Sequence, residues 1–194
     1  MMQTVRHLSH IVRWNLRGKP VPPPHVVKQR VIKAYARRFG LSLFVETGTY
    51  LGEMVEAVRA QFREVYSIEL SPELTQNARR KFAIDPRVHI IEGDSGEVLP
   101  SILEKISEPC LFWLDGHFSG GITAQGSEDY PVLRELAHIS RHHVKNHVIL
   151  IDDARLFVGD GSAPAKPRLV EALRQINPRY RVEERDDIIR AFVV

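Results

Sequence analysis

Two hydrophobic rhythms alternate along this chain. Short, mostly apolar runs at 41–45, 65–69, 88–91, 110–114 and 147–151 have strand length and show no sustained polar face. Between them, apolar residues recur at helical spacing: Met54, Val58 and Phe62, with Val55 beside them; then Leu74, Ala78 and Phe82; then Val132, Leu136 and Ile139 inside a helix predicted over 130–143. Ser71 as cap, Pro72 in the first turn and Glu73 near the positive end of the dipole open the second of these helices. Two more helices, 3–17 and about 26–39, precede the first strand. Apolar strands alternating with amphipathic helices predict a parallel sheet covered on both faces. The C-terminus departs from that rhythm. A helix at 168–176 is followed by 180–183 and 188–194 with only charge and turn between them, which predicts an antiparallel hairpin.

The chain is organised around 41–53. Its strand ends in Glu46, Gly48 and Gly52 frame a tight turn, and a helix follows, the first half of a nucleotide-binding crossover. The glycines would let backbone pass close to a ligand. The predicted fold class is therefore α/β, a doubly wound, Rossmann-like, seven-stranded and mostly parallel sheet with an antiparallel C-terminal hairpin. Each of the five central strands closes on a carboxylate: Glu46, Glu69, Asp94, Asp115 and Asp152. One such acid could simply cap a helix or finish a turn. Five along one sheet edge concentrate negative charge that calls for a cation, on a ligand or as a metal.

Composition narrows the picture. A chain of 194 residues, 43% hydrophobic and 26% charged, suits one globular domain with a sizeable core. We divide it into 1–24, a basic helix and proline-rich linker, and 25–194, the catalytic-type domain. The helix sets Val5, Leu8, Val12 and Leu16 on one side and Arg6, His7, His10, Arg13 and Arg17 around the rest. It is expected to pack on the domain or on a second subunit, giving a homo-oligomer; an acidic membrane surface or a lid are the other roles it suits. A net charge of +3 and no aromatic-basic platform argue against a nucleic-acid partner. Cys110, the only cysteine, permits no intrachain disulfide and fits a reducing, cytoplasmic setting. No apolar stretch is long enough to span a bilayer, and no secretory leader is expected.

Glu69 follows the glycine turn by about twenty residues, the spacing of a ribose-binding acid in nicotinamide and S-adenosylmethionine sites alike. The turn discriminates between them. Tyr50 stands where a dinucleotide fold wants a middle glycine, and Glu46 would repel pyrophosphate but suit a sulfonium and an ammonium. With these residues in view, the chain resembles the class I S-adenosylmethionine-dependent methyltransferases, and among them the cation-dependent O-methyltransferase branch that includes the catechol and macrocin types. The resemblance covers about 41–194, and the hairpin matches that family's reversed last strand. Glu46-x-Gly48-x-Tyr50-x-Gly52 follows the catechol-type variant of the family's first motif. The resemblance implies that Glu46, Thr47, Gly48, Tyr50 and Gly52 border the methionine part of S-adenosylmethionine. It further implies that Glu69 holds the ribose, that Asp94 and Ser95 lie by the adenine, and that Asp115 serves both cofactor binding and catalysis.

Asp115, Asp152 and Asp153 bring three carboxylates from neighbouring strand ends, the oxygen donors that a hard ion such as Mg²⁺ prefers. In the branch the chain resembles, acids at these positions ligate the metal. His117 is the candidate general base, with loop ordering or metal ligation as its other roles; the family often has a lysine near here and this loop has none. Arg155, Lys166 and Arg168, in the stretch that flanks the expected acceptor pocket, suit an acidic acceptor, with solvated surface the expected role for at least two of them. His138 and His142 have a metal-like spacing, yet an exposed helix face is expected for them. The function expected is Mg²⁺-assisted methylation of a hydroxyl on a small molecule or sugar. A metal-independent methyltransferase and a non-catalytic S-adenosylmethionine-binding module are the alternatives, and Tyr50 and Glu46 disfavour a nicotinamide enzyme.

Overall fold

A computed structural model describes residues 2–116, 129–161 and 163–194. Among these, seven strands form one sheet: β1 (Leu43–Thr47), β2 (Glu64–Glu69), β3 (Val88–Glu92), β4 (Leu111–Leu114), β5 (Val148–Ile151), β6 (Tyr180–Arg185) and β7 (Ile188–Val193). Their order is β3-β2-β1-β4-β5-β7-β6. Strands β1 to β5 are mutually parallel, and β7 runs against both β5 and β6. The chain lays β2 and β3 to one side of β1, then crosses to lay β4 and β5 on the other, so the topological switch falls between β1 and β4.

That reversal sorts the helices. Right-handed crossovers put α3 (Glu53–Val58) and α4 (Pro72–Lys81) on one face, and α5 (Ser95–Leu103), α6 (Val132–Arg141) and α7 (Lys166–Ile176) on the other. No crossover helix then covers the β4–β5–β7 half of the first face. α2 (His25–Phe39), which precedes β1, fills it with Val31, Ile32, Tyr35 and Ala36. α1 (Met2–Leu16) lies on α2, its buried Trp14 donating from Nε1 to the Pro20 carbonyl at 2.8 Å. Alternation along each strand divides the core: Phe44, Val65, Leu111, Trp113, Val148 and Leu150 face α2–α4, while Val45, Ile68, Phe112, Leu114, Ile149 and Ile151 face α5–α7.

Three local differences from the expected elements have simple causes. α3 gives way to a single 3₁₀ turn at Arg59–Gln61, and Phe62 is already extended; it is buried all the same, stacked on Phe44 at 5.0 Å between ring centroids. Glu184 and Arg185 belong to β6, leaving only Asp186 and Asp187 as the turn, at φ 55° and 61°. Two residues with positive φ match the twist of a tight hairpin, and β6 tolerates charge because it is an edge strand. The third difference is His142, which is buried rather than on an exposed face.

α6 ends at Arg141, and the extended backbone of His142 turns its ring inward. The Cys110 N–H donates to His147 Nδ1 at 3.2 Å, which leaves the proton of a neutral His147 on Nε2, facing His142 Nδ1 at 3.0 Å. His142 Nε2–H then donates to the Ile106 carbonyl at 2.9 Å. This relay is complete only with both rings neutral. Burial lowers the pKa of His142 and, with the positive influence of His142, takes His147 down to about 3. His138 instead reaches the Gly96 carbonyl at 2.8 Å, so the two helical histidines form no metal pair.

Because both folded-state values lie below the unfolded value of 6.5, the unfolded chain binds more protons between them. Their contribution to stability is full above 6.5 and is lost as pH falls below it. This contribution pulls the thermal midpoint down from about pH 7 to pH 5; buried carboxyls act in the opposite sense, so it is read as the difference between wild type and His147→Phe. His147→Phe should flatten that slope while costing about 1–3 kcal/mol at neutral pH, because the Cys110 N–H and His142 lose a partner. An identical slope in the variant would remove this account.

Candidate active site

The alternation that divides the core also aims the acids. Glu46 continues the Phe44 row, Glu69 the Val65 row, Asp115 the Leu111–Trp113 row and Asp152 the Val148–Leu150 row. All four therefore emerge at the C-terminal ends of parallel strands on the face covered by α2–α4. The ladder carries on past the strands, with Asp115 N–H donating to the Thr47 carbonyl at 3.1 Å and Asp152 N–H to that of Leu114 at 3.0 Å. The expectation that these acids share one edge is met, at the switch point where ligands of such sheets bind.

The turn after β1 is held by its neighbours. Gly48 and Thr49 both donate to the Ile68 carbonyl, at 2.9 and 3.1 Å. Gly48 has φ +85°, and a Cβ there would lie 2.4 Å from the Asp115 carbonyl oxygen. The backbone just past β4 thus gives glycine a packing cause here, beside the ligand approach expected from the sequence. Tyr50, also at positive φ, donates its N–H to Glu69 Oε2 at 2.7 Å, and Ser71 N–H donates to Oε1 at 2.9 Å. Glu69 is thereby fixed in place, while the side chains of Tyr50 and Leu51 stay about half exposed. Glu46 is 1% exposed and accepts from Ser67 Oγ at 2.5 Å; burial, against that bond and with help from Glu69, pushes its carboxyl up to about 8. Gly52 caps α3 against the Phe82 ring.

Across the sheet the picture differs. Asp94 caps α5 by accepting the Gly96 N–H at 2.8 Å, with Arg134 at 3.8 Å, so this acid does what a strand-end acid ordinarily does. Ser95 Oγ donates to Glu135 Oε1 at 2.5 Å. Glu135, which the helical pattern passed over, is 1% exposed on the buried side of α6; burial pushes its carboxyl up to about 7, with hydrogen bonds from Ser95 and Thr47 opposing. Thr47 Oγ1 in turn accepts the Asp115 N–H at 3.2 Å. A small cavity lies among Leu114, Asp115, Gly116, Glu135, Ile151 and Asp152. The sequence signal for Glu135 was an acid sharing the stripe of Val132, Leu136 and Ile139.

Ligand oxygens of Asp115, Asp152 and Asp153 all lie within 4.8 Å of one another. Asp153 reaches in because its backbone is left-handed, at φ +52°. Lys28 of α2 meets this cluster: its Nζ is 2.5 Å from Asp152 Oδ2 and 3.0 Å from Asp153 Oδ1. Arg155 Nη1 donates to the same Asp153 oxygen at 2.8 Å and pairs with Asp187 of the hairpin turn. Lys166 pairs with Glu184, and Arg168 is exposed, as expected for solvated surface. Burial works against the charge on Lys28, and Asp152 and Asp153 more than offset it, so its pKa is raised. Burial, reinforced by Asp152, raises Asp115 well above the usual carboxylate range. The donor set suits Mg²⁺ in kind and spacing. Asp152 Oδ1, buried and without a hydrogen-bond partner among the described residues, is an oxygen such an ion would take. His117 and the glycine-rich stretch that follows it lie outside the described residues.

No protein-family model matches the chain, and no curated protein does. Solved structures do resemble it. One is an O-methyltransferase from Bacillus cereus in complex with SAH (16% identity, 97% of this chain and 91% of that one, TM-score 0.63). Another is an SAH-bound methyltransferase from Podospora anserina (17%, 97% and 87%, 0.58). A third is a TehB-like SAM-dependent methyltransferase from Corynebacterium glutamicum (19%, 98% and 98%, 0.56). The chain has the fold of these methyltransferases.

The acids make a test of their own burial. Glu46 and Glu135 have folded-state values above the unfolded 4.5, so the folded protein binds more protons, and their stabilising effect is lost as pH rises through about 7 and 8. Measured against wild type, Glu46→Gln, which keeps an acceptor for Ser67, should lose less thermal midpoint from about pH 5 to pH 8, the span between the unfolded and folded values. Equal slopes would mean that Glu46 is ionised in the folded protein throughout.

Proposed function

We propose that this chain is an S-adenosylmethionine-dependent O-methyltransferase acting on a hydroxyl of a small molecule or sugar. The reading is carried by Glu46 and Glu69 beside the glycine turn, buried and without an ion pair among the described residues, at the switch point of the sheet. S-adenosylmethionine supplies an electrophilic methyl carbon on a sulfonium that leaves as a neutral thioether. Glu46, protonated at neutral pH while nothing positive faces it, is matched to a cationic donor. Each Glu69 oxygen keeps acceptor capacity beyond its one backbone bond, which suits it to ribose hydroxyls. Thr47, Gly48, Tyr50 and Gly52 shape the turn against the donor's methionine end, and Asp94 with Ser95 borders the adenine.

Asp115, Asp152 and Asp153 would hold Mg²⁺, which when bound favours the deprotonated form of a hydroxyl and orients its oxygen. His117 is the residue placed in sequence to take that proton. Holding the hydroxyl in line with the methyl group supplies most of the acceleration. One observation favours a second, metal-independent reading: Lys28 already binds two of the three carboxylates. Among the described residues no helix is long and apolar enough to cross a membrane, and a cytoplasmic setting suits the buried thiol of Cys110. α1 leaves Val12 and Leu16 exposed, the pair a second copy of the chain would cover. We take 1–24 as an appendage to the 25–194 domain.

S-adenosylhomocysteine should raise the thermal midpoint, and NAD should not. Glu69→Ala should weaken S-adenosylhomocysteine binding by about tenfold or more, since a hydrogen bond to a charged group is worth about 1.5–3 kcal/mol. Calorimetry that finds the variant's affinity unaltered sinks the assignment. Chelator should lower turnover, and Asp152→Ala should remove the response to added Mg²⁺; turnover indifferent to both selects the metal-independent reading.

A further inference from the structure

Lys28 stands out among the charged residues outside the expected site. It lies one turn before Val31 and Ile32 and two before Tyr35, on the apolar stripe that α2 presents to the sheet, where a charge is costly unless it is partnered. Its side chain is 12% exposed, and its partners Asp152 and Asp153 are 0% and 12% exposed. At 2.5 and 3.0 Å, the ammonium engages one oxygen of each, so it sits among the atoms that would ligate an ion. Asp152 uses Oδ2 for Lys28 and leaves Oδ1 buried with no hydrogen-bond partner among the described residues.

We propose that the Lys28 ammonium and a divalent ion are alternative occupants of the Asp115–Asp152–Asp153 cluster, so that an ion entering the cluster displaces Lys28. The proposal rests on the divalent-ion part of the function above. Coulomb's law gives the reason. Two cations bound to the same two buried carboxylates repel one another at the short distances where screening is weakest. A divalent ion brings twice the charge and uses Asp152 Oδ1 as well, whereas the ammonium is tethered and so is always at hand. Lys28 thereby keeps the cluster compact without metal and sets a threshold that the ion must exceed.

Mn²⁺ binding, read from the loss of the free-ion paramagnetic resonance signal, tests this in wild type, Lys28→Met and Lys28→Met/Asp152→Asn. Lys28→Met should bind Mn²⁺ about tenfold tighter than wild type or better, and the double variant should lose that gain. Equal or weaker binding by Lys28→Met, or no binding by either, overturns the proposal. Should Lys28→Met fail to fold, the wild type decides. Acetylation of Lys28 by acetic anhydride, normalised to exposed Lys105, should be slow without metal and rise severalfold in saturating Mg²⁺. Unchanged labelling overturns the proposal. S-adenosylhomocysteine titrated into the same samples separates the two readings. Tightened Mn²⁺ binding without S-adenosylhomocysteine binding retires the methyltransferase and leaves the exchange, and the converse retires the exchange alone.

Discussion

A carboxylate buried against the end of an apolar sheet can stay ionised only if a cation or enough hydrogen-bond donors face it. Much of this molecule's C-terminal edge answers that constraint. Glu69 meets it with two backbone N–H groups, from Tyr50 and Ser71. Glu46 has one hydroxyl donor and is pushed towards its neutral form. Asp152 and Asp153 meet the constraint with an ammonium. The same edge therefore offers a carboxylate held by backbone, a carboxyl pushed towards its neutral form and an ammonium-bound cluster side by side. Those are different chemical tools made from the same side-chain group.

Which face carries these tools follows from alternation alone. A residue row that reads Phe44–Glu46, Leu111–Trp113–Asp115 or Val148–Leu150–Asp152 changes from core to site at the last step without changing side. A one-residue slip in β1, β4 or β5 would carry its acid to the α5–α7 face, where Thr47 and Glu135 now meet. The apolar core is what prevents such a slip, because every row behind the acids would be transferred with them. Packing and site geometry are one specification here.

The fold was legible because its signals are local and repeated. Five apolar runs closing on acids fix parallel strands, and the missing helix between 176 and 188 fixes the reversed ending. The helix-facing parts of the site were less legible. Glu135 and Lys28 each break an apolar stripe, Val132–Leu136–Ile139 in one case and Val31–Ile32–Tyr35 in the other, and that break was the available clue. It went unread because a helical pattern says which side a residue faces and not what lies opposite. Partners such as Ser95 and Asp152, 40 and 124 positions away, come only with the tertiary fold. His142 misled for a related reason. Its spacing from His138 is helical, but the helix stops at Arg141, and the ring is spent on Ile106 and His147. Gly48 was legible as a turn glycine, but the Asp115 carbonyl that excludes a side chain there lies 67 positions on and comes only with the tertiary fold.

The topology also explains why the cluster's cation comes from α2. Crossover helices are tied at both ends to strands, and the reversal at β1 sends those after β3 to the opposite face. The face above β4 and β5 is left to a helix joined to the sheet only at its C-terminal end, through Gly40 to β1. α2 turns its apolar stripe to that face because the strands there are apolar, and its first turn overhangs the strand ends because it is longer than the strands it covers. A 15-residue helix spans about 22 Å, against about 13 Å for a four-residue strand. The excess length must project past the sheet edge, and a residue there on the buried stripe meets the acids instead of the core. An apolar residue would strand their charge, and an acid would add to it. A lysine has both the stem to pass the rim of the core and the charge to reach Asp152 and Asp153.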